Sequence, residues 1–194
     1  SEMRIRDSYN IGYVYFAQGD YSKALEYFEE VLKIRLSVYG ENHSRVASVY
    51  NDIGEIYSVQ GDDFKALDYF KKSLKIVLSV YGENHSQVSS IYDHIGEIYF
   101  AQKDYSKALY YFEESLKIRL SLFGENHPEV ALSYYSIGSL YIIQGDKSKA
   151  LNYYEKSLKI RLSVYGENHP LTKEIMDLIN VANSKVLQSP ETTK

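Results

Sequence analysis

The sequence predicts an all-α fold, an α-solenoid of antiparallel helix pairs, and two observations support this prediction. A five-residue string recurs four times at a spacing of 42 residues, at residues 39–43, 81–85, 123–127 and 165–169. Between these strings, apolar residues return with the spacing of amphipathic helices and do not alternate strictly as in a strand. A fixed period of a few tens of residues is typical of arrays built from one stacked supersecondary unit. We therefore expect four repeats followed by a C-terminal capping helix.

Each repeat begins with one amphipathic helix, called helix A, which is clearest in the second repeat. Tyr50, Ile53, Gly54 and Tyr57 stand at positions i, i+3, i+4 and i+7, so their side chains share one face of a helix. This stripe predicts a helix of about 17 residues.

A short turn and a second helix, called helix B, complete the repeat. Gly61 can adopt the left-handed conformation that ends helix A, and the side chain of Asp62 can cap the next helix. Apolar residues keep the helical period from Ala66 to Leu78, which predicts a helix of about 19 residues. Gly82 then favours a helix end. Each repeat is thus predicted to be a tightly joined antiparallel pair.

The recurring string marks the joint between repeats, where helix B ends and the next helix A begins. Pro128 and Pro170 follow the last two strings, and proline is favoured in the first turn of a helix. Equivalent residues of stacked helices lie roughly 8 to 10 Å or more apart, which is too far for shared metal coordination. The histidines of the string are therefore predicted to be joint residues, and they are His43, His85, His127 and His169.

These signals predict one repeat domain over residues 1–187 and a disordered tail over residues 188–194. Asn180 and Asn183 give the last helix the polar outer face that a capping helix needs. The first helix has no comparable cap, so we expect either a fragment of a longer array or association through that end. The predicted boundaries are about residues 3–43, 44–85, 86–127 and 128–169 for the repeats and 170–187 for the cap.

Composition excludes several classes of function. A net charge of -4, from 22 basic and 26 acidic residues, lacks the basic excess needed to bind a phosphate backbone, so we expect no nucleic acid. No cysteine is present, and no apolar run approaches the roughly 20 residues that span a bilayer, so we expect a cytoplasmic protein without a membrane contact. The sequence lacks a phosphate loop, a nucleophile elbow and a zinc-protease motif, so we expect no enzyme, cofactor or metal.

The repeat pattern resembles that of the tetratricopeptide repeat superfamily. The family usually repeats every 34 residues, whereas the 42-residue period is similar to that of kinesin light chains. Lys103 departs from the pattern because it replaces the glycine of the turn. The resemblance implies a right-handed superhelix whose concave surface is formed by the A helices. The signature positions in the second repeat are Ile53, Gly54, Tyr57, Gly61, Asp62, Ala66, Phe70 and Leu74.

The side of helix A opposite its apolar stripe is predicted to line this concave groove. Acidic residues dominate the middle of the groove, whereas the fourth repeat is neutral and apolar. A peptide or helix with basic residues beside an apolar anchor would complement it, although a merely solvated acidic face fits the pattern equally well. The predicted groove residues are Arg6, Asn10, Tyr13, Ser48, Asp52, Glu55, Val59, Ser90, His94, Glu97, Leu132, Ser136, Ser139 and Ile143.

Two main hypotheses of function follow. The first is a non-enzymatic interaction module or scaffold that holds a partner's peptide in the groove. The alternative is a structural array that self-associates end to end through the uncapped first repeat. A third, weaker hypothesis is a regulatory segment of a larger enzyme. An acidic groove would repel the acidic cargo peptides that the kinesin light chain resemblance implies. His94, beside Asp93 and Glu97, is expected at most to titrate or to bind a metal ion weakly.

Overall fold

The computed structural model describes residues 2–184, and that part of the chain is entirely helical apart from short turns. Helices A and B alternate as predicted, with 16 residues in each A helix and 19 in each B helix. The predicted all-α fold of antiparallel helix pairs is confirmed. The helices are α1 (Glu2–Ala17), α2 (Tyr21–Tyr39), α3 (Ser44–Val59), α4 (Asp63–Tyr81), α5 (Ser86–Ala101), α6 (Tyr105–Phe123), α7 (Pro128–Ile143), α8 (Lys147–Tyr165) and α9 (Pro170–Ser184).

The chain divides into two compact units, Ser1–Gln102 and Lys103–Lys194. In the N-terminal unit, consecutive helices from α1 to α5 pack against one another. Gly54 on α3 lets the aromatic ring of Phe70 on α4 come close, since a Cβ at that position would lie 2.8 Å from the ring. Ile53 of the apolar stripe and the nearby Ile56 are fully buried in a core that includes Phe28 of α2.

The C-terminal unit repeats this construction with α6 to α9, which also pack in sequence. A Cβ at Gly138 of α7 would lie 2.7 Å from the ring of Tyr154 on α8. Ile175 of α9 is fully buried, whereas Asn180 and Asn183 are exposed, as expected of a capping helix. The predicted end of this helix, residues 185–187, and the predicted tail, residues 188–194, lie outside the described residues.

The turn inside each helix pair follows the predicted chemistry. Gly61 has φ +77°, and the Oδ1 of Asp62 accepts a hydrogen bond from the backbone N–H of Lys65 at 3.2 Å. Lys103 takes the same left-handed conformation, with φ 63°, although it is not a glycine. The turn geometry therefore persists where the sequence departs from the repeat pattern.

The joints between helix pairs explain the recurring histidines. His43 precedes α3, and its Nδ1 accepts a hydrogen bond from the backbone N–H of Arg45 at 3.1 Å. The imidazole stacks on the ring of Tyr39, four residues earlier, with 4.6 Å between ring centroids. The prediction that the histidines are joint residues is confirmed. The same cap and stack recur at His85, His127 and His169.

Candidate functional site

The N-terminal unit carries ten of the predicted groove residues, on α1, α3 and α5, and their exposure differs widely. Their spacing puts them on one side of each A helix, although Tyr13 packs edge-on against Phe28 of α2 and His94 stacks on Phe70 of α4. Six of them are exposed, namely Arg6, Asn10, Tyr13, Val59, Ser90 and Glu97. Three are half-buried, namely Ser48, Glu55 and His94.

Asp52 does not present a free charge to solvent, which corrects the picture of an openly acidic groove. Its side chain lies beneath two tyrosines of α1, and the residue is only 7% exposed. The hydroxyl of Tyr9 donates to Oδ2 at 2.6 Å, and that of Tyr13 donates to Oδ1 at 2.6 Å. Helical periodicity predicts the side of α3 on which Asp52 lies, but it could not show that a neighbouring helix covers it.

Burial governs the protonation of this tyrosine–aspartate cluster. It raises the pKa of Asp52 to about 6, although the two tyrosine hydroxyls favour the carboxylate and oppose the rise. Burial and then the charge of Asp52 raise the pKa of Tyr9 to about 12, and the same causes raise the pKa of Tyr13. Both tyrosines therefore remain hydrogen-bond donors at neutral pH.

His94 of α5 is held between two glutamates and an aromatic ring. Its Nε2 lies 3.4 Å from Oε1 of Glu55, and its Nδ1 lies 3.9 Å from Oε2 of Glu97. The imidazole is stacked flat on Phe70, with centroids 5.1 Å apart. Burial opposes protonation, but the hydrogen bonds and charges of Glu55 and then Glu97 outweigh it and raise the pKa of His94 to about 9. His94 is thus a cation at neutral pH.

The charge that a ligand would meet on this face is smaller than the count of acidic residues suggests. Glu55 accepts a hydrogen bond from the Nδ2 of Asn51 at 2.6 Å and also faces the His94 cation. Glu97 keeps 67% of its side chain exposed. Among Asp52, Glu55 and Glu97, only Glu97 offers a largely solvated carboxylate to an incoming cation.

Arg6 lines a separate cavity of about 480 Å³ in the N-terminal unit. Arg35 and Arg45 share the lining, together with Tyr9 and Tyr39. The surroundings of Arg6 are therefore basic and aromatic, in contrast to the carboxylates near His94.

The C-terminal unit carries the remaining predicted residues on α7, and their surroundings are mostly apolar. Leu132 and Ile143 are exposed, at 44% and 52%. Ser136 and Ser139, which lie between these two residues in the sequence, are half-buried. The hydroxyl oxygens of Ser139 and Tyr154 are 3.2 Å apart, within hydrogen-bond distance. This face offers contact area and hydroxyl groups without a formal charge on the four residues.

Sequence reasoning missed Tyr9 as part of the site, together with the stacking of His94 on Phe70. Tyr9 and Tyr13 stand one helical turn apart on α1, so their hydroxyls can reach the same carboxylate. That spacing was a usable signal. Within residues 2–184, including the surroundings of His94, no three His, Asp or Glu side chains converge as a metal site.

Comparison with known protein families agrees with this geometry. The sequence matches the family described as Tetratricopeptide repeat at residues 4–77, 45–121 and 87–163, which together span most of the chain. The chain belongs to the tetratricopeptide repeat family. No curated protein matches the sequence. Within residues 2–184 of this tetratricopeptide repeat protein, no helix is both long and apolar enough to cross a membrane.

Solved structures resemble the chain over nearly its whole length. BtubC (BKLC) from P. vanneervenii is 19% identical, with a TM-score of 0.78, over 100% of this chain and 87% of that one. Nearly identical TPR-like repeats of a kinesin light chain-like protein from Podosopora anserina are 16% identical, with a TM-score of 0.73, over 96% and 98%. The apo form of RapI is 18% identical, with a TM-score of 0.79, over 95% and 64%. Such low identities show the shared fold alone.

Proposed function

We propose that this chain is a non-enzymatic interaction module whose A-helix faces hold a peptide or helix of a protein partner. Tetratricopeptide repeats generally act as protein interaction scaffolds, and this family is not an enzyme family. The observation that carries the proposal is the face of the N-terminal unit, where Glu97 is exposed beside the ordered His94 and Glu55. Ordered polar groups beside a solvated carboxylate favour recognition over mere solvation.

The chemistry of the two units suggests what the partner carries. Glu97 and Glu55 favour a basic residue, since opposite charges speed association and fix register. Leu132 and Ile143 of the C-terminal unit favour an apolar residue, because burying their exposed surface is stabilising. A basic segment with an apolar anchor satisfies both preferences.

A selection from a random peptide library on the purified chain tests the proposal. We expect selected peptides to be rich in Lys and Arg and to lose affinity for the Glu55→Gln/Glu97→Gln variant. The matched control is Glu41→Gln/Glu83→Gln, which removes two exposed carboxylates from the joints. Selection of acidic peptides, or equal binding to both double variants, would show the proposal to be wrong.

Asp52 is unsuitable for that experiment. Charge reversal at a buried carboxylate that two tyrosines hold would leave unpaired polar groups in the interior and destabilise the fold. Glu55→Gln and Glu97→Gln each keep an oxygen acceptor but lose the ion pair with His94, so thermal unfolding of the double variant checks that it still folds under the binding conditions.

End-to-end self-association is a second candidate, and one observation favours it. Ile11 and Val14 of α1 are 40% and 54% exposed, whereas Ile53 and Ile56, at the same positions one repeat later, are fully buried. An apolar surface that a repeat normally covers can be covered by another copy. Sedimentation equilibrium should then show a mass that rises with concentration. The rise should vanish in Ile11→Ser/Val14→Ser but persist in the control Val38→Ser, and a constant monomer mass for the unaltered chain would exclude this candidate.

A further inference from the structure

A cavity of about 100 Å³ in the N-terminal unit borders the predicted groove residues and is lined largely by polar side chains. It lies between α3, α4 and α5. Val77 of α4 forms one wall, Asn51 and Asp52 of α3 form another, and Gln87 and Ser90 of α5 form a third. The three helices belong to the same compact unit, so the cavity is a feature of that unit alone.

The repeat places an arginine at the position of Val77 in its other three copies, at Arg35, Arg119 and Arg161. Arg119 and Arg161 are buried, and each pairs with an acceptor on the following A helix. Arg119 donates to the hydroxyl of Ser133 at 2.8 Å, and Arg161 donates to the carbonyl of Leu171 at 2.5 Å. This position of the repeat is therefore built to hold a guanidinium group.

Arg35 shows what surrounds that guanidinium group one repeat earlier. Its Nη1 donates to the carbonyl of Arg45 at 2.6 Å and to the hydroxyl of Ser48 at 3.0 Å. The guanidinium plane lies over the ring of Tyr9, with 4.5 Å to the ring centroid. Arg161 lies in the same way over Tyr135, at 5.0 Å.

In the second repeat, both members of this arginine–tyrosine pair are replaced by smaller residues. Val77 stands at the position of Arg35, and Asn51 stands at the position of Tyr9. Gln87 and Ser90 occupy the positions of Arg45 and Ser48. The cavity lining thus consists of the residues that correspond to the surroundings of Arg35, without the arginine itself.

The cavity presents oxygen acceptors without matching donors. Neither Oδ1 of Asn51 nor Oε1 of Gln87 has a hydrogen-bond partner among residues 2–184, although both atoms are buried. The carboxyl group of Asp52 lies on the same lining. Several acceptors around a small space suit a planar cation with many N–H donors. A guanidinium group has this shape and five donors, whereas the ammonium group of lysine is not planar and has three.

We propose that this cavity binds the guanidinium group of an arginine side chain that the partner inserts where the repeat lacks its own. The proposal rests on the proposed function and specifies it, because the cavity is lined by three of the predicted groove residues, Ser48, Asp52 and Ser90. A guanidinium group there would donate to Asn51 and Gln87 and lie beside the carboxylate of Asp52. The partner peptide would carry this arginine on the face of the N-terminal unit.

The test uses the full chain, labelled with ¹⁵N, and a probe tripeptide, acetyl-Ala-Arg-Ala-amide. We expect saturable shifts of the side-chain amide signals of Asn51 and Gln87, with millimolar affinity for so small a probe. The same tripeptide with citrulline in place of arginine keeps the shape but loses the charge, and it should bind about tenfold or more weakly. Equal affinity for both peptides, or no shift at Asn51 and Gln87, would overturn the proposal and leave a water-filled polar cavity.

Val77→Arg restores the arginine of the repeat and should abolish binding of the probe. Thermal unfolding checks that this variant folds. We expect it to fold because the other three repeats carry an arginine at this position. Val80→Arg is the matched control, since it adds the same charge to the exposed side of α4 and should keep the affinity. Gln87→Met is an independent variant that removes one acceptor and should weaken binding about tenfold. Retained binding in Val77→Arg or in Gln87→Met would contradict the proposal.

The arginine-probe experiment and the peptide selection can fail independently of each other. If selected peptides bind Val77→Arg as well as the unaltered chain, the arginine site is wrong while the interaction module stands. If the selection yields no peptide but the arginine probe still binds at Asn51 and Gln87, the cavity is a guanidinium site and the proposed function is wrong.

Discussion

At the scale of single residues, a glycine facing an aromatic ring determines how closely the two helices of a repeat approach. Gly54 faces Phe70 and Gly138 faces Tyr154, at distances that leave no space for a methyl group. Gly12 faces Phe28 less tightly, since a Cβ there would lie 3.1 Å from the ring. The same sequence position thus tolerates a side chain to different degrees in different repeats.

Gly54→Ala should lower the free energy of unfolding by about 1 to 2 kcal/mol, because the strain of overpacking exceeds the gain of about 1 kcal/mol in helix propensity. Gly12→Ala is the matched control and should be nearly neutral, since its ring has to move less. Urea unfolding followed by circular dichroism measures both variants. Equal effects in the two would show that contact with the ring does not decide the cost.

Also at this scale, Asp52 and His94 make stability depend on pH in two separate windows. The pKa of Asp52 is higher in the folded chain than in the unfolded chain. Its contribution to stability is therefore fully present below its ordinary pKa of 3.8, and it is lost as pH rises through about 6. The contribution of His94 is complete below its ordinary value of 6.5 and is lost as pH rises through about 9.

We therefore expect the free energy of unfolding to fall by about 1 to 3 kcal/mol in each window. Asp52→Asn should remove the fall between pH 4 and about 6 and keep the upper one, whereas His94→Gln should do the reverse. Each variant is thus the control for the other. Urea unfolding at closely spaced pH values measures the two differences, and a curve that keeps both falls in either variant contradicts the assignment.

At the scale of helices, the joints combine a stop, a ring stack and a cap within five residues. Gly82 ends α4 with φ +79°, His85 stacks on Tyr81, and the imidazole Nδ1 then caps α5. The imidazole thus connects the end of one helix to the start of the next. The conserved spacing of the string within this chain follows from that geometry, because the aromatic residue and the histidine must lie four positions apart.

His85→Ala should lower the free energy of unfolding by about 0.5 to 2 kcal/mol, the usual cost of a lost helix cap. His85→Asn retains a capping side chain but lacks the ring, so its smaller loss measures the stack alone. Chemical unfolding of the three proteins gives these values. If His85→Ala matched the unaltered chain, the hydrogen bond to the N–H of Gln87 would have no role in stability.

At the scale of the whole molecule, the helices of each compact unit bury their apolar faces against their neighbours in sequence within that unit. Residues such as Val49 and Ile53 of α3 are fully buried in a core that also includes Phe28 of α2. In an array of this kind, stability is a sum of repeat terms and nearest-neighbour terms. No single repeat can therefore be removed without losing an interface.

Deletion of residues 44–85, one complete period, should keep the helical content per residue but lower the urea midpoint. The cut joins two equivalent joints, so the remaining chain keeps a continuous repeat pattern. Circular dichroism gives the helical content and the midpoint in one experiment. An unchanged midpoint would mean that the repeats fold independently of their neighbours.

Periodicity in the sequence determined the helices, their order and most of the turns, because helix spacing, glycine stops and proline starts are local properties of the chain. Glu97, Leu132 and Ile143 are exposed, and that they line a groove stays a prediction. The role of the histidines at the joints followed from their position in the period. The partner cannot be read from such local signals, since they report how the chain folds and not what it binds.

Only the tertiary structure decided which polar residues are free to act. Tyr9 and Tyr13 cover Asp52 from a helix about 40 residues earlier in the chain, which no local pattern reveals. The cavity beside Val77 has the same origin, because it depends on three helices and on an arginine that the other repeats provide. The sequence determines this protein as a repeat array, while burial and contacts between helices decide where its chemistry lies.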